Sequence, residues 1–314
     1  LNQAWENLQN KLQSGEIIEG DVLNKVEYSF IEAQNNPFIE SITTNNSNIN
    51  DMMDKGMEYF KSGQIKNAIL CFESIVQDNE GIENDEAWKM LGICHAENDE
   101  DKRAIYCYNK SLDCDPYNLQ SLLALGTSYV NELNSIKALE TLRTWVTHNP
   151  RYQNLDTSTF DAYSDGTLMD EVTQLMLTVS EYDPSDIDVK IVLGVLYNVS
   201  LDYDSAIECF AQACSMRSSD YSLVNKLAAS YANSNQSELA IPHYARALQL
   251  RPGFARGWLN LGISFANMDR YEEAAKAYIQ ALHLNPEAKH IWSYMRVVLS
   301  CMDRFDLVAL CSSE

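Results

Sequence analysis

The sequence predicts an all-α solenoid, a stack of antiparallel helix pairs in which each pair packs on its neighbours. Three observations lead to this fold class. Residues 221–254 and 255–288 are two copies of one 34-residue pattern. Each copy has a small residue at positions 8 and 20, which lets two helix backbones approach closely, and a proline at position 32, which ends the second helix. These residues are Ala228 and Gly262, Ala240 and Ala274, and Pro252 and Pro286.

The same register extends towards the N-terminus. Position 20 falls, at intervals of 34 residues, on Ala104, Ala138, Val172, Ala206, Ala240 and Ala274. A further copy, with Gly56 and Ala68 at positions 8 and 20, lies upstream of a two-residue insertion near residues 81–84. A period of 34 with this pattern is the signature of tetratricopeptide repeats. The sequence therefore predicts a tetratricopeptide-repeat solenoid of seven repeats.

Five segments are predicted along the chain. Residues 1–48 are an N-terminal flanking segment, partly helical or mobile, and residues 49–152 hold repeats one to three. Residues 153–186 are a degenerate fourth repeat, because YQNLDTSTFDAYSDGT lacks the small residue at position 8 and the apolar spacing of a helix. Residues 187–288 hold repeats five to seven, and residues 289–314 form a C-terminal helical cap. We expect two three-repeat arms joined at the fourth repeat by a hinge.

Composition narrows the class of function. The formal net charge of −22 argues against nucleic acid or an anionic membrane as partner and favours cationic ones. The eight cysteines form no CxxC pair, so we expect free thiols in a reducing compartment. The histidines are scattered, His95 is expected in the core, and no phosphate-binding glycine loop occurs. We therefore expect no catalytic residue, metal or cofactor, and because the chain begins at Leu1, a fragment of a longer protein.

The first helix of each repeat is expected to line the concave face, so its inward positions carry the function. Asn225, Ala229 and Asn233 share one helical face, as do Arg256, Asn260 and Asn267. Amide side chains offer a donor and an acceptor together, which an extended peptide backbone requires. With Lys226 and Arg256 beside them, they predict a site for a peptide with a terminal carboxylate. Thr127, Val130, Asn131 and Asn198 are the other inward residues.

The asparagines also have a structural interpretation. An asparagine near a helix end often caps the helix or the next turn, which covers Asn131, Asn233 and Asn267. Asn225 and Asn260 lie in mid-helix, where asparagine has poor propensity, so a binding role is favoured there. The acidic run at residues 98–101 is interpreted as a solvated face, although Glu97 before it points inward.

Several longer motifs resemble one family. They are NKLAASYANSNQSELA, WLNLGISFAN, AWKMLGICHAEN, LGVLYNVSLDYDSA, IWSYMRVVLSCM and EYSFIEAQNNPF. Together they are similar to the receptor for the type 1 peroxisomal targeting signal, over residues 26 to about 302. The link NPEAKH after repeat seven is shorter than that family usually has.

The resemblance implies binding of cargo proteins by a C-terminal tripeptide of Ser-Lys-Leu type, inside a ring made by two repeat arms. It implies a cytoplasmic receptor that cycles to the peroxisomal membrane, where docking proteins bind the family's N-terminal half, and no membrane span. Lys226 and Arg256 match the cations near the carboxylate, Ala229 the small-residue pocket, and Thr127 and Val130 the wall around the terminal leucine. Glu97 matches an acidic partner for the basic middle residue. The remaining matches are Asn131, Asn225, Asn233, Asn260, Asn267, Asn198 and Tyr203.

Two other functions stay open. One is a chaperone-associated tetratricopeptide clamp for acidic C-terminal peptides, against which the net charge and the few inward lysines count. The other is the substrate-recognition arm of a larger enzyme, because asparagine ladders also hold extended peptides in tetratricopeptide enzymes that transfer sugars.

Overall fold

The computed structural model describes residues 28–30, 36–39, 49–78, 81–153, 155 and 167–311. The predicted all-α solenoid is confirmed, because every regular element in these ranges is a helix. The α-helices are α1 (Ile49–Lys61), α2 (Ile65–Val76), α3 (Asp85–Glu97), α4 (Asp101–Cys114), α5 (Leu119–Asn131), α6 (Ser135–His148), α7 (Leu168–Tyr182), α8 (Ile187–Val199), α9 (Tyr203–Met216), α10 (Tyr221–Asn233), α11 (Ser237–Leu250), α12 (Ala255–Ala266), α13 (Tyr271–Leu284), α14 (Lys289–Cys301) and α15 (Phe305–Leu310). A 3₁₀ turn covers Pro150–Tyr152.

Each helix pair closes around a glycine or alanine at position 8. The residue sixteen positions later, at position 24 on the second helix, packs directly on it. A Cβ added to Gly262 would lie 2.4 Å from the Tyr278 ring, and one added to Gly92 would lie 2.5 Å from the Tyr108 ring. Gly126 meets Leu142 in the same way. The small residue therefore sets the distance between the two helices of a pair.

The turn inside each pair also repeats. Residues with a left-handed backbone, φ between 56° and 64°, are Asp99, Leu133, Leu201, Asn235, Asp269 and Asp303. They lie 34 residues apart or, across the fourth repeat, twice that distance. Asp303 extends this register into the α14–α15 turn, so the C-terminal segment begins as a further, shorter helix pair.

Side chains cap the first helices at the start of several pairs. The Asn84, Asn118 and Asp220 side chains accept hydrogen bonds from the backbone N–H three residues on, and Asp186 accepts one two residues on. These caps satisfy N–H groups that a helix leaves without an intrahelical partner. The polar residues between repeats thus fix where each first helix begins.

The fourth repeat is described only in its second half. Residue 154 and residues 156–166 lie outside the described ranges, so the predicted hinge stays a prediction. Helix α7 begins with a capping box of Thr167 and Asp170, and its Val172 and Met176 join a hydrophobic core that runs from Leu122 to Ala247. The buried core is therefore continuous from α5 through α7 to α11.

The flanking segment contacts the first helix pairs where it is described. The Tyr28 hydroxyl donates a hydrogen bond to Glu73 at 2.7 Å and lies 2.8 Å from His95 Nε2. Glu73 and His95 have no exposed surface. Asn36, also buried, donates to the Leu70 carbonyl at 2.8 Å. The expected helix at the start of the chain lies outside the described residues.

The two ends of the solenoid meet. We call α1–α6 the first arm and α8–α13 the second arm. A Cβ added to Gly253, in the α11–α12 turn, would lie 3.1 Å from the carbonyl oxygen of Gly63, in the α1–α2 turn. The described chain therefore closes into a ring, and the first helices of its pairs face the central space, which we call the lumen.

Candidate functional site

The lumen contains two adjoining cavities, of about 550 Å³ and about 480 Å³. Ten of the thirteen residues predicted to bind peptide line the smaller one. They are Thr127, Val130, Asn131, Asn198, Asn225, Lys226, Ala229, Asn233, Arg256 and Asn260. These residues come from α5, α8, α10 and α12, which are first helices of their pairs. The helical register thus brings together residues from both arms.

Amide side chains occupy three sides of the smaller cavity. Asn225 is buried, and its Oδ1 lies 3.4 Å from Asn260 Nδ2 on the neighbouring helix. Asn198 Nδ2 donates to Ser230 Oγ at 3.0 Å. Asn131 Nδ2 lies 3.2 Å from Asp101 Oδ1 and donates to it. Each amide is oriented by one neighbour and keeps further donor and acceptor capacity towards the lumen.

Lys226 is a cation that forms an ion pair with none of the described carboxylates. No ion pair or side-chain hydrogen bond involves its Nζ among the residues that the structure describes, although it lines both cavities. Burial lowers the pKa of Lys226 and the nearby Arg256 guanidinium lowers it further, while the carboxylates of Asp220 and Asp101 oppose the shift. An ammonium group in such surroundings gains most from a bound anion, which would supply the missing opposite charge.

Arg256, in contrast, already has acidic partners. Its Nη2 lies 2.6 Å from Asp101 Oδ2 and 3.3 Å from Asp99 Oδ1, and its Nε donates to the Ala96 carbonyl at 2.9 Å. Burial opposes the charged form, but Asp101 and Asp99 raise the pKa of Arg256 overall. The guanidinium therefore lines the cavity while it is bound to the first arm.

Three predicted residues lie elsewhere. Glu97 lines the larger cavity, is 5% exposed, and pairs with Arg251 Nη2 at 3.1 Å while it accepts a hydrogen bond from Tyr221. Burial raises the pKa of Glu97, which Arg251 and Tyr221 oppose. Asn267 is exposed at the end of α12, and Tyr203 begins α9; neither is among the residues that line the two cavities.

The interpretation of the acidic run as a solvated face is wrong for two of its residues. Asp101 is 6% exposed and holds both Arg256 and Asn131. Asp99 pairs with Arg256 and lies 2.8 Å from His290 Nε2. Their partners come from the second arm or from another repeat, so no local pattern marks them. The only sequence signal was their place beside the inward Glu97.

The comparisons with known proteins agree with the helix-pair architecture. Tetratricopeptide-repeat family models match residues 53–118 and 255–287. These two segments therefore carry tetratricopeptide repeats. The chain is similar to two solved structures at 15% identity, a tetratricopeptide repeat protein from Parabacteroides merdae (TM-score 0.41, 80% of this chain and 98% of that one) and one from Thermus thermophilus (TM-score 0.45, 68% and 98%).

Curated relatives support the resemblance found in the longer sequence motifs. Over 158 residues the chain is 40% identical to peroxisome biogenesis protein 5 of Arabidopsis thaliana, which covers 50% of this chain and 21% of that protein. It is 35% identical to the peroxisomal targeting signal 1 receptor of Dictyostelium discoideum, over 61% of this chain and 31% of that protein. The resemblance to receptors of this kind is confirmed. The chain spans about a fifth to a third of the length of these two relatives.

Among the described residues, none of the helices is long and apolar enough to cross a lipid bilayer.

Proposed function

We propose that this chain is the cargo-binding region of an import receptor for peroxisomal proteins. Its ligand is a C-terminal peptide of Ser-Lys-Leu type, bound in the smaller cavity between α5, α8, α10 and α12. The observation that carries the proposal is Lys226, a cation with no ion pair among the described residues, set among amides in a chain of net charge −22. The names of the curated relatives support the same ligand class.

The cavity offers a binding group for each part of a short C-terminal peptide. Asn131, Asn225, Asn233 and Asn260 can bind the N–H and C=O groups of an extended backbone. Lys226 can bind the terminal carboxylate with a charge-assisted hydrogen bond. Ala229 leaves space for a small side chain, and Thr127 and Val130 form an apolar wall next to the buried Val195 for the last one.

A basic middle residue fits the acidic side of the cavity. Asp99, Asp101 and Glu132 line it from the first arm, and Asp99 and Asp101 also bind Arg256. Glu97, which the resemblance assigns to this role, is already paired with Arg251 and faces the larger cavity. Its role towards the middle residue stays part of the proposal. Binding to docking proteins and cycling to the peroxisomal membrane are proposed for the whole receptor.

Peptide titration tests the proposal. Fluorescence anisotropy would compare three labelled peptides that end in Ser-Lys-Leu, in the same tripeptide as a C-terminal amide, and in Glu-Glu-Val-Asp. A charge-assisted hydrogen bond contributes about 1.5–3 kcal/mol, so the acid is expected to bind about tenfold or more tightly than its amide. The acidic peptide is expected to bind weakly, because a chaperone-type clamp would need more inward cations.

Lys226→Met gives the matched variant. It keeps much of the side-chain length and removes the charge, so the acid and amide peptides should bind this variant with nearly equal affinity. Equal binding of acid and amide by the unmodified chain would refute the carboxylate site. Preference for the Glu-Glu-Val-Asp peptide would instead support the clamp.

A further inference from the structure

The two arms are joined by a cluster of charged groups, some of which also line the smaller cavity. We propose that Arg251 and Arg256 form a latch that holds the ring closed by binding Glu97, Asp99 and Asp101 of the first arm. We further infer a division of roles, in which Lys226 binds the peptide carboxylate and Arg256 acts as a positioning residue. The latch stands on contacts within the chain, whereas the division of roles rests on the proposed function.

Arg251 is the more deeply placed of the two arginines. It is 7% exposed, and its Nη2 and Nε lie 3.1 Å and 3.3 Å from Glu97 Oε2. Its Nη1 donates to the Lys61 carbonyl, at the end of α1, at 3.1 Å. The guanidinium carbon lies 4.6 Å from the centre of the Phe60 ring and 5.6 Å from that of Tyr221. One side chain of the second arm thus binds both α1 and α3 of the first.

Arg256, at the start of the next helix pair of the second arm, makes the same kinds of contact. Its Nε binds the carbonyl of Ala96, near the end of α3, and its Nη2 binds Asp101 and Asp99 in and beyond the α3–α4 turn. Carbonyl groups at a helix C-terminus carry partial negative charge, so a cation there is favoured. Both arginines therefore satisfy helix ends and carboxylates of the opposite arm together.

Further contacts between the first arm and the second half of the chain surround the two arginines. Asn285, in the short link between α13 and α14, donates to the Asn98 carbonyl at 3.1 Å. His290 lies 2.8 Å from Asp99. The Gly63 and Gly253 backbones approach so closely that a side chain on Gly253 would touch the opposite turn. The latch is thus a packed interface, in which the removal of one charge leaves its partners buried without compensation.

The contrast with Lys226 assigns the roles. Arg256 has three partners on the first arm, and a peptide carboxylate would compete with Asp99 and Asp101 for it. Lys226 has no ion pair among the described residues, so an incoming carboxylate need not break one. Asp101 further joins Arg256 to Asn131 of the peptide site, so loss of the latch moves an amide of that site as well.

The test compares Arg256→Gln, Arg251→Gln and Lys226→Gln with the unmodified chain. Arg246→Gln is the matched control, because Arg246 binds the Ser218 carbonyl within the second arm. Small-angle scattering without peptide measures the radius of gyration, and titration measures affinity for the Ser-Lys-Leu acid and its amide. The two latch variants should have a larger radius and lose acid and amide binding by the same factor, about tenfold or more. Lys226→Gln should keep its radius and lose only the preference for the acid.

The opposite results would overturn the inference. An Arg256→Gln variant with an unchanged radius and a loss confined to the acid peptide would make Arg256 a carboxylate ligand. If circular dichroism shows that Arg256→Gln is unfolded, Arg256→Lys keeps the charge but loses the planar fork that serves several partners, so it should still enlarge the ring. If neither peptide binds the unmodified chain, the proposed function fails, yet the scattering comparison still decides the latch.

Discussion

The two arms share one core and differ in what they present to the lumen. In both arms a position-8 glycine packs on a large side chain sixteen residues later, as in Gly92 with Tyr108 and Gly262 with Tyr278. Around the smaller cavity, however, the first arm contributes the carboxylates Asp99, Asp101 and Glu132, while the second contributes Lys226, Arg256 and most of the amides. Helix packing is repeated along the chain, whereas the charged groups around the smaller cavity are divided between the arms.

This difference indicates which sequence positions of a repeat protein can vary. Positions 8, 20 and 24 are held by contacts between the two helices of one pair, so every pair needs them. Inward positions face away from the second helix of their own pair, and each can be chosen for a ligand or for the opposite arm. The division of charge then lets one surface of the second arm serve both the peptide and the ring.

The largest expected effect tests the shared core. Gly92→Leu and Gly262→Leu each place a side chain where a Cβ alone would lie 2.4–2.5 Å from a tyrosine ring. Overpacking of this kind costs about 1–3 kcal/mol in the free energy of unfolding, and we expect losses at the upper end of this range in both arms. Denaturant unfolding measures them. A loss in only one arm would show that the two cores are not equivalent.

The second prediction separates lumen amides from exposed ones. Asn260→Ala removes a side chain that lines the smaller cavity, so buried peptide groups lose a partner, at a cost of about 1–3 kcal/mol in binding. Asn267→Ala, at the exposed end of the same helix, is the matched control and should bind as the unmodified chain does. The melting temperature of the Asn260→Ala variant should equal that of the unmodified chain. Equal affinities of the two variants would place the peptide elsewhere.

A smaller effect is expected where the flanking segment meets the first arm, a contact with no described equivalent in the second arm. Tyr28→Phe removes the hydroxyl that bridges Glu73 and His95. The loss of these hydrogen bonds should lower the free energy of unfolding by about 1 kcal/mol. Tyr117→Phe, whose side chain is exposed, should leave stability unchanged. Equal stability of both variants would mean that the segment adds nothing to the first arm.

The smallest effect concerns pH. Burial lowers the pKa of His95, although Glu100, at 2.7 Å, opposes the shift. As the pH falls below about 6.5, the unfolded chain binds a proton at this histidine before the folded chain does, so stability declines. His95→Gln should make the fall in melting temperature between about pH 7 and about pH 5 shallower. His283→Gln, exposed on α13, should leave it as steep as before.

Local rules sufficed for much of the fold and for part of the site. The 34-residue period predicted the helix pairs, since each is specified by contacts within one or two repeats, and it placed Asn225, Lys226 and Asn260 on the face that lines the lumen. The pairs Glu97 with Arg251 and Asp101 with Arg256 were missed. Their members are 154 and 155 residues apart, and a charged residue beside a turn is usually solvated. Only the closed ring brings them together.

Ring closure has a consequence for how such a chain can evolve. An open solenoid gains or loses a repeat at little cost, because each repeat contacts only its neighbours. Here the duplication or deletion of one repeat between α4 and α10 would displace Arg251 from Glu97 by the width of a whole helix pair. The contacts between the two arms therefore constrain the number of repeats between them, whereas substitutions within a repeat leave that number unchanged.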